Sequence, residues 1–334
     1  MRIPYRLKCY FLFVVIEFVI INRFRAKITS FHDWWSRGNT TSRNKAQFTS
    51  SSTPLLAIPS PAKFVMSLSN NEARSSWELF QHHRGIVTNL LLEEAVNPPC
   101  SLCVLGAGHC NDINLAKLLE KYEKITLADI DLASLQHGIQ QQLPSGHERI
   151  EFAHADLSNQ YQLLEQIEAS PKGPSTVQLA QLKASSTFTQ IPELGKYDVV
   201  ASTCLLSQIL KKIVMTLDDR DDTFVEILKA ARHSHLEVML NALKPGGVGI
   251  LVTDFVSSDS LPDLAMTQDL NSTVIQAIST NNFFHGLNPH MVAKVLQESE
   301  LKSKIQTLDL TDPWKWQTQL RVYACFGLIF QKVR

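Results

Sequence analysis

The residues whose types and spacing point most directly to chemistry lie between Ser101 and Asp131, in SLCVLGAGHCNDINLAKLLEKYEKITLADID. An apolar run ends in Gly106-Ala107-Gly108, a helical pattern follows, and a second apolar run ends in Asp129, about twenty residues further on. Glycines let a backbone turn tightly and approach a ligand, and a carboxylate at the tip of the next strand can accept hydrogen bonds from both hydroxyls of a ribose. The unit therefore points to an adenosine-containing ligand without saying which one. Asp112, just beyond the turn, reads either as a hydrogen-bond partner in the site or as the N-cap of the following helix.

Other reactive side chains have plainer readings. Ser, His and Asp are all present, but no G-x-S-x-G nucleophile elbow accompanies them. His233 and His235 are expected as surface or capping residues, Arg84 as a solvated helix charge, and Asp218, Asp219, Asp221 and Asp222 around Arg220 as a solvated acidic loop. Cys100 and Cys103 stand at a strand entrance with no second pair or His cluster beside them, so no metal site is expected. Cys103 reads as a small core residue. The cysteine pattern gives no disulfide framework, which fits a reducing compartment and a cytoplasmic protein.

These groups must be positioned by a framework. Helical spacing of Trp77, Phe80, Ile86, Leu90 and Leu91 predicts a helix on the sheet edge. Strands are predicted over about 101–106, 124–129, 149–155, 197–202 and 248–253, with helices over 112–122, from Asp131 onwards, and over 234–243. The segments 168–195, 210–232 and 256–288 are read as insertions long enough to form a pocket. Near the end of the chain, 302–310 and 321–332 are strand-like and separated by too few residues for a crossover helix, so an antiparallel hairpin is expected. The whole reads as an α/β fold: a doubly wound, mainly parallel, seven-stranded Rossmann-like sheet closed by that hairpin, with its ligand at the strands' carboxyl ends.

Formal charge is zero over 334 residues, but residues 1–65 carry ten Lys or Arg and two acids, Glu17 and Asp33. The remaining chain is acidic, which counts against a nucleic-acid substrate. Within the basic part, 10–21 is apolar, but it is interrupted by Glu17 and falls short of the ~20 residues needed to span a bilayer. A Ser/Thr-rich segment with Pro54, Pro59 and Pro61 follows it. Residues 1–65 are expected to be a disordered extension with one of three origins: a targeting peptide, a weak membrane anchor, or sequence upstream of a start at Met66. The folded domain is expected over 66–334.

Five segments in order give the chain a resemblance: VLGAGHCNDINL at 104–115, LADID at 127–131, FAHADL at 152–157, YDVVASTCLLSQI at 197–209 and LKPGGVGILVTDF at 243–255. Together with the terminal hairpin, they resemble class I S-adenosylmethionine-dependent methyltransferases over about residues 77–332. The resemblance implies S-adenosylmethionine as cofactor. It places Gly106, Ala107 and Gly108 under the methionine part, Asp129 with Ile130 at the ribose, Asp156 with Leu157 at the adenine, and Ser202 and Thr203 at the methionine end. Asp beyond a strand also caps helices, so Asp156 has that second reading.

Two family positions are altered: Val104 replaces an acid before the first glycine, and Cys110 replaces a third glycine. Asp112 is a candidate substitute, bonding either a backbone amide or the cofactor ammonium. The implied reaction is in-line displacement at a sulfonium methyl, to which positioning contributes strongly; no catalytic base is identified. Ala201-Ser202-Thr203-Cys204 stands where methylases of base nitrogens carry N/D-P-P-Y, so the expected acceptor is a small molecule or a protein. An NAD(P)-dependent oxidoreductase and an inactive methyltransferase-like binding module are the alternatives; Asn111 in place of the dinucleotide fingerprint's last glycine counts against the first.

Overall fold

The computed structural model describes residues 77–95, 99–185, 190–217, 223–298 and 300–334. The expectations for the basic N-terminal stretch, for a start at Met66 and for the acidic run at 218–222 lie outside these residues.

Helix α1 (Gln81–Glu93) leads into β1 (Ser101–Leu105), α2 (Leu115–Leu118), β2 (Lys124–Asp129), α3 (Leu132–Gln142) and β3 (Ile150–His154). Helices α4 (Tyr161–Glu168) and α5 (Thr176–Ser185) precede β4 (Tyr197–Thr203), α6 (Leu205–Thr216), α7 (Phe224–Ala242) and β5 (Leu243–Ser257). Three more helices, α8 (Asp263–Met266), α9 (Leu270–Ser279) and α10 (Pro289–Glu298), lead to β6 (Ile305–Leu310), β7 (Trp314–Gln317) and β8 (Val322–Lys332).

Side-chain alternation explains the layering. Along β1, Leu102 and Val104 enter one core and Cys103 and Leu105 enter the other, as happens in a strand covered on both faces. The first core packs against α1, α2 and α3; the second packs against α4 to α7 together with α9 and α10. The sheet runs β3-β2-β1-β4-β5-β8-β6, with β7 beside β8. β1 to β5 are parallel to their neighbours, and β8 is antiparallel to β5, β6 and β7. The chain winds outward from β1 to β3 and returns at β4, so the strand order reverses between β1 and β4, and sheets of this kind receive ligands at the carboxyl ends of the strands there.

The doubly wound sheet and reversed terminal strand match expectation, with four differences. The described residues form eight strands, because residues 314–317, read as a connector, pair with the first half of β8. The helix expected over 112–122 is a single turn. Asn114, not Asp112, caps it by accepting from the Lys117 amide at 3.1 Å. Gln142, at the end of α3, holds the loop before it by donating to the carbonyls of Cys110 (2.8 Å) and Ile113 (3.2 Å) and accepting from the Leu115 amide (2.9 Å).

β5 starts at Leu243, so L-K-P-G-G lies inside the strand. Lys244 there pairs with Asp198 (2.9 Å), which also accepts from the Ser101 amide and hydroxyl (2.8 and 2.6 Å), tying together the amino ends of β1, β4 and β5. Finally, much of the 210–232 interval is helix rather than loop, because Ile213, Phe224, Ile227 and Ala231 are buried in the core.

Where β5 meets β8, Gly249 lies against the ring of Phe330, and a Cβ on it would stand 2.3 Å from ring carbons. Gly249→Ala is therefore expected to lower stability by about 1–3 kcal/mol through overpacking, read by urea denaturation. Adding Phe330→Leu should recover part of the loss, and a neutral single variant would contradict this packing.

Candidate ligand-binding site

The chain leaves β1 through Gly106 (φ +72°) and Gly108 (φ +46°), a left-handed geometry that glycine adopts without strain. The Gly106 amide donates to the Ala128 carbonyl at 2.9 Å, joining the turn to β2. A Cβ on Gly106 would lie 2.6 Å from Leu205 Cβ, whereas one on Gly108 would meet nothing within 4 Å. The turn is packed from beneath at Gly106 and open at Gly108, while Ala107 between them is buried. Cys110 follows in the same left-handed region (φ +55°) with its side chain buried.

Asp129 closes β2 and is half-buried. One carboxylate oxygen accepts from the Gly108 amide and the other from the Asp131 amide, both at 2.9 Å. Burial raises the pKa of this carboxyl above the usual range, with the Asp131 and Gly108 amides pulling the other way. A carboxylate has about four lone-pair directions, and those not taken by amides remain for a ligand beside the open face of Gly108. Ile130, at the next position, is 36% exposed and offers an apolar surface at the same strand tip.

The remaining expected contacts have structural partners. Asp156 accepts from the Ser158 amide (3.0 Å) and hydroxyl (2.6 Å) and from the Tyr161 amide (2.9 Å), so its helix-entry reading is filled at α4. Leu157 is buried in the core with α4 and α6. Ser202 is fully buried, and its hydroxyl hydrogen-bonds His235 Nε2 of α7 at 2.8 Å, on the helix-covered face of the sheet.

His235 is therefore a core residue and not a surface or capping one. Arg84 also departs from expectation: it is buried, donates to the carbonyls of Trp77 (2.9 Å) and Asn111 (3.1 Å), and stacks over the Trp77 ring at 3.5 Å. It binds α1 to the loop after the glycine turn.

A group that the sequence did not single out surrounds Asp112. His83 on α1 is fully buried; its Nδ1 accepts from the Trp314 indole N–H at 3.0 Å, and its ring stacks on Trp316 with centroids 4.9 Å apart. Its Nε2 faces Asp112 Oδ1 at 3.4 Å. Cys204, at the entrance to α6 with φ +53°, brings its Sγ to within 4.8 Å of both atoms, and it also touches Cys325 on β8. Nearby Asp254 is buried with its carboxyl pKa raised by that burial, against a 2.5 Å hydrogen bond from Ser207.

The protonation of His83 follows from its neighbours. Burial disfavours charge on the ring, while Asp112 together with an ionised Cys204 would carry its pKa to about 9. Contact with Cys325 and burial, however, raise the Cys204 thiol well above its usual value, so at neutral pH it lends no charge. An imidazolium would also direct an Nδ1 proton at the indole N–H of Trp314, which can only donate. His83 is therefore assigned as the neutral imidazole, with its proton on Nε2 towards Asp112.

No protein-family model and no curated protein matches the chain. Among solved structures it is similar to the N-methyltransferase NodS from Bradyrhizobium japonicum WM9 in complex with S-adenosyl-L-homocysteine, at 14% identity and TM-score 0.40, over 80% of this chain and 98% of that one. It is similar to the plantazolicin methyltransferase BpumL in complex with the same molecule, at 12% identity and TM-score 0.41, over 82% and 91% of the two chains. A third is an rRNA methylase from Streptococcus thermophilus, at 13% identity and TM-score 0.32, over 73% and 93%.

Burial lowers the His235 pKa from 6.5 to about 4. The unfolded chain takes up this proton first as pH falls, so stability is expected to decline from about pH 6.5 to about pH 4, by at most about 3 kcal/mol from this residue. Denaturant midpoints across that range, compared with His235→Gln, check the sign: the variant should show the shallower decline, and an equal one would remove His235 from the acid response.

Proposed function

We propose that the chain is an S-adenosylmethionine-dependent methyltransferase that transfers a methyl group to a small-molecule or protein acceptor. The observation that carries this reading is Asp129, whose carboxylate bridges the Gly108 and Asp131 amides at the tip of β2, beside a turn with open space at Gly108. A pair of ribose hydroxyls suits the carboxylate's remaining acceptor directions, and the missing Cβ of Gly108 leaves room for the chain that joins ribose to sulfur. Ile130, exposed at the same tip, suits the face of a purine. These residues fit the cofactor that the resemblance implies.

When bound, the cofactor supplies a methyl group activated by a positive sulfur. The protein's part is to hold the adenosyl end at β1 and β2 and bring an acceptor in line with it from the side of β4. A base is needed only for an acceptor that arrives protonated, and none is assigned. Ser202 and Asp156, engaged with His235 and with the start of α4, are proposed to shape the site's walls through those bonds. Leu157 acts through the core beneath. The acidic balance beyond residue 65 favours a small-molecule or protein acceptor over nucleic acid. A cytoplasmic location is part of the same proposal; among the described residues, no helix is long and apolar enough to cross a membrane.

Calorimetry tests the assignment directly. S-adenosylmethionine and S-adenosylhomocysteine are expected to bind and NAD is not; binding of NAD alone would replace this reading with the oxidoreductase one. Asp129→Asn should weaken S-adenosylhomocysteine about tenfold or more, the loss expected when a charged hydrogen-bond acceptor is neutralised. Unchanged affinity would take Asp129 out of the site.

A further inference from the structure

Three buried groups at the carboxyl end of the sheet have no place in the function above: the Cys204–Cys325 contact, the group formed by His83, Asp112 and Cys204, and the aromatic stack of Phe80, His83, Trp316 and Tyr323. The second is the most constrained. Both His83 Nε2 and Asp112 Oδ1 are buried atoms without a hydrogen-bond partner, 3.4 Å apart. Such orphaned atoms cost free energy unless something satisfies them.

A metal ion is one way to satisfy them, since His83, Asp112 and Cys204 each offer a ligating atom within 4.8 Å of the others. The far side of the imidazole argues against it. A ligating histidine ordinarily donates its second ring N–H to a carboxylate or carbonyl, but His83 Nδ1 accepts from the Trp314 indole. The Nε2 position therefore holds a proton, and a metal there would require an imidazolate. Cys204 is likewise an uncharged thiol whose proton would have to leave.

The same constraint makes the group a one-way hydrogen-bond chain. Trp314 can only donate, so His83 must accept on Nδ1 and donate from Nε2, where Asp112 and Cys204 stand nearby. The 3.4 Å approach of His83 Nε2 to Asp112 Oδ1 is a little longer than an ordinary hydrogen bond and lies on the donating side of the ring. Asp112 is half-buried and lies four residues beyond Gly108, and a carboxylate has about four lone-pair directions, more than one donor fills. A carboxylate so placed, with neutral imidazole behind it, selects a cation.

We propose that Trp314 and His83 are positioning residues that hold Asp112 as an acceptor for the ammonium group of the ligand's amino-acid end. This rests on the methyltransferase reading and extends it, because it draws β7 into the cofactor site. Trp314 lies more than two hundred residues beyond the glycine turn and reaches it only because β7 pairs with β8 and packs on α1.

The test compares S-adenosylhomocysteine with 5′-methylthioadenosine, which lacks the amino-acid end, by calorimetry on the full chain. Asp112→Asn should weaken the first by about ten- to a hundredfold, as for loss of a charged partner, and leave the second unchanged. Trp314→Phe, which keeps the aromatic ring but removes the N–H, should weaken only the first, by a few fold. His83→Gln, which keeps a donor near Nε2, should retain more affinity than His83→Ala. Independently, nitrogen-15 NMR should show His83 as the Nε2–H tautomer between pH 6 and 8, with the preference reduced in Trp314→Phe.

Equal losses for both ligands would mean a general disturbance and overturn the proposal. So would an imidazolium at neutral pH, or a stoichiometric metal ion retained by the wild type and lost in Asp112→Asn. If neither adenosyl ligand binds the wild type, the methyltransferase reading itself fails, which is a separate outcome.

Discussion

Asp129 joins two elements that diverge immediately after they meet. The turn beyond β1 and the helix beyond β2 lead away from the sheet, and one carboxylate receives an amide from each side, Gly108 and Asp131. Without it, two half-buried backbone donors would lose their acceptor, a cost of about 1–3 kcal/mol each, and the glycine turn would lose the anchor that keeps Gly108 facing open space. The candidate site is built outward from this contact, since it fixes where a sugar or amino-acid group can approach the backbone.

Around it, helix α1 acts as a cross-tie. Arg84 reaches the Asn111 carbonyl and His83 meets both Trp314 and Asp112, so adjacent residues of one helix clamp the loop after the glycine turn on one side and the C-terminal strands on the other. Neither side chain faces water, and neither is an ion pair of the surface kind. Each is held by donors and acceptors whose roles are forced: a guanidinium that only donates, an indole that only donates, and carbonyls that only accept. That is why the imidazole between them can be assigned a tautomer from geometry.

The polar groups within the sheet follow a different logic. Ser202 and His235 hydrogen-bond one another within the core, and Asp198 gathers Ser101 and Lys244 at the opposite end of the strands. The first pair joins β4 to α7 in a buried setting that disfavours charge on His235. The second ties the amino ends of three strands, at the other end of the sheet from the glycine turn and Asp129.

Much of the architecture was legible from residue order. Continuous apolar runs in SLCVL, KITLAD and YDVVAST, turn glycines after the first of them and helical patterns between them lead to a doubly wound parallel sheet, because these are local properties of backbone and side-chain direction. The positive φ at Gly106 and Gly108 and the capping by Asp131 belong to the same class. What tertiary structure decided was which polar side chains share a space. Ser202 and Asp156 have the spacing of site residues, yet their bonds run to His235 and to the start of α4. Asp112 was noticed, but its partner is 29 residues upstream on α1, and the tautomer of that partner is set by Trp314, 231 residues from it. No pattern within one segment encodes such a meeting, because strand pairing brings together residues whose separation in sequence has no fixed period. The chain's local chemistry therefore determined the frame and its glycine turn, and only the fold determined how the buried charges and donors are matched.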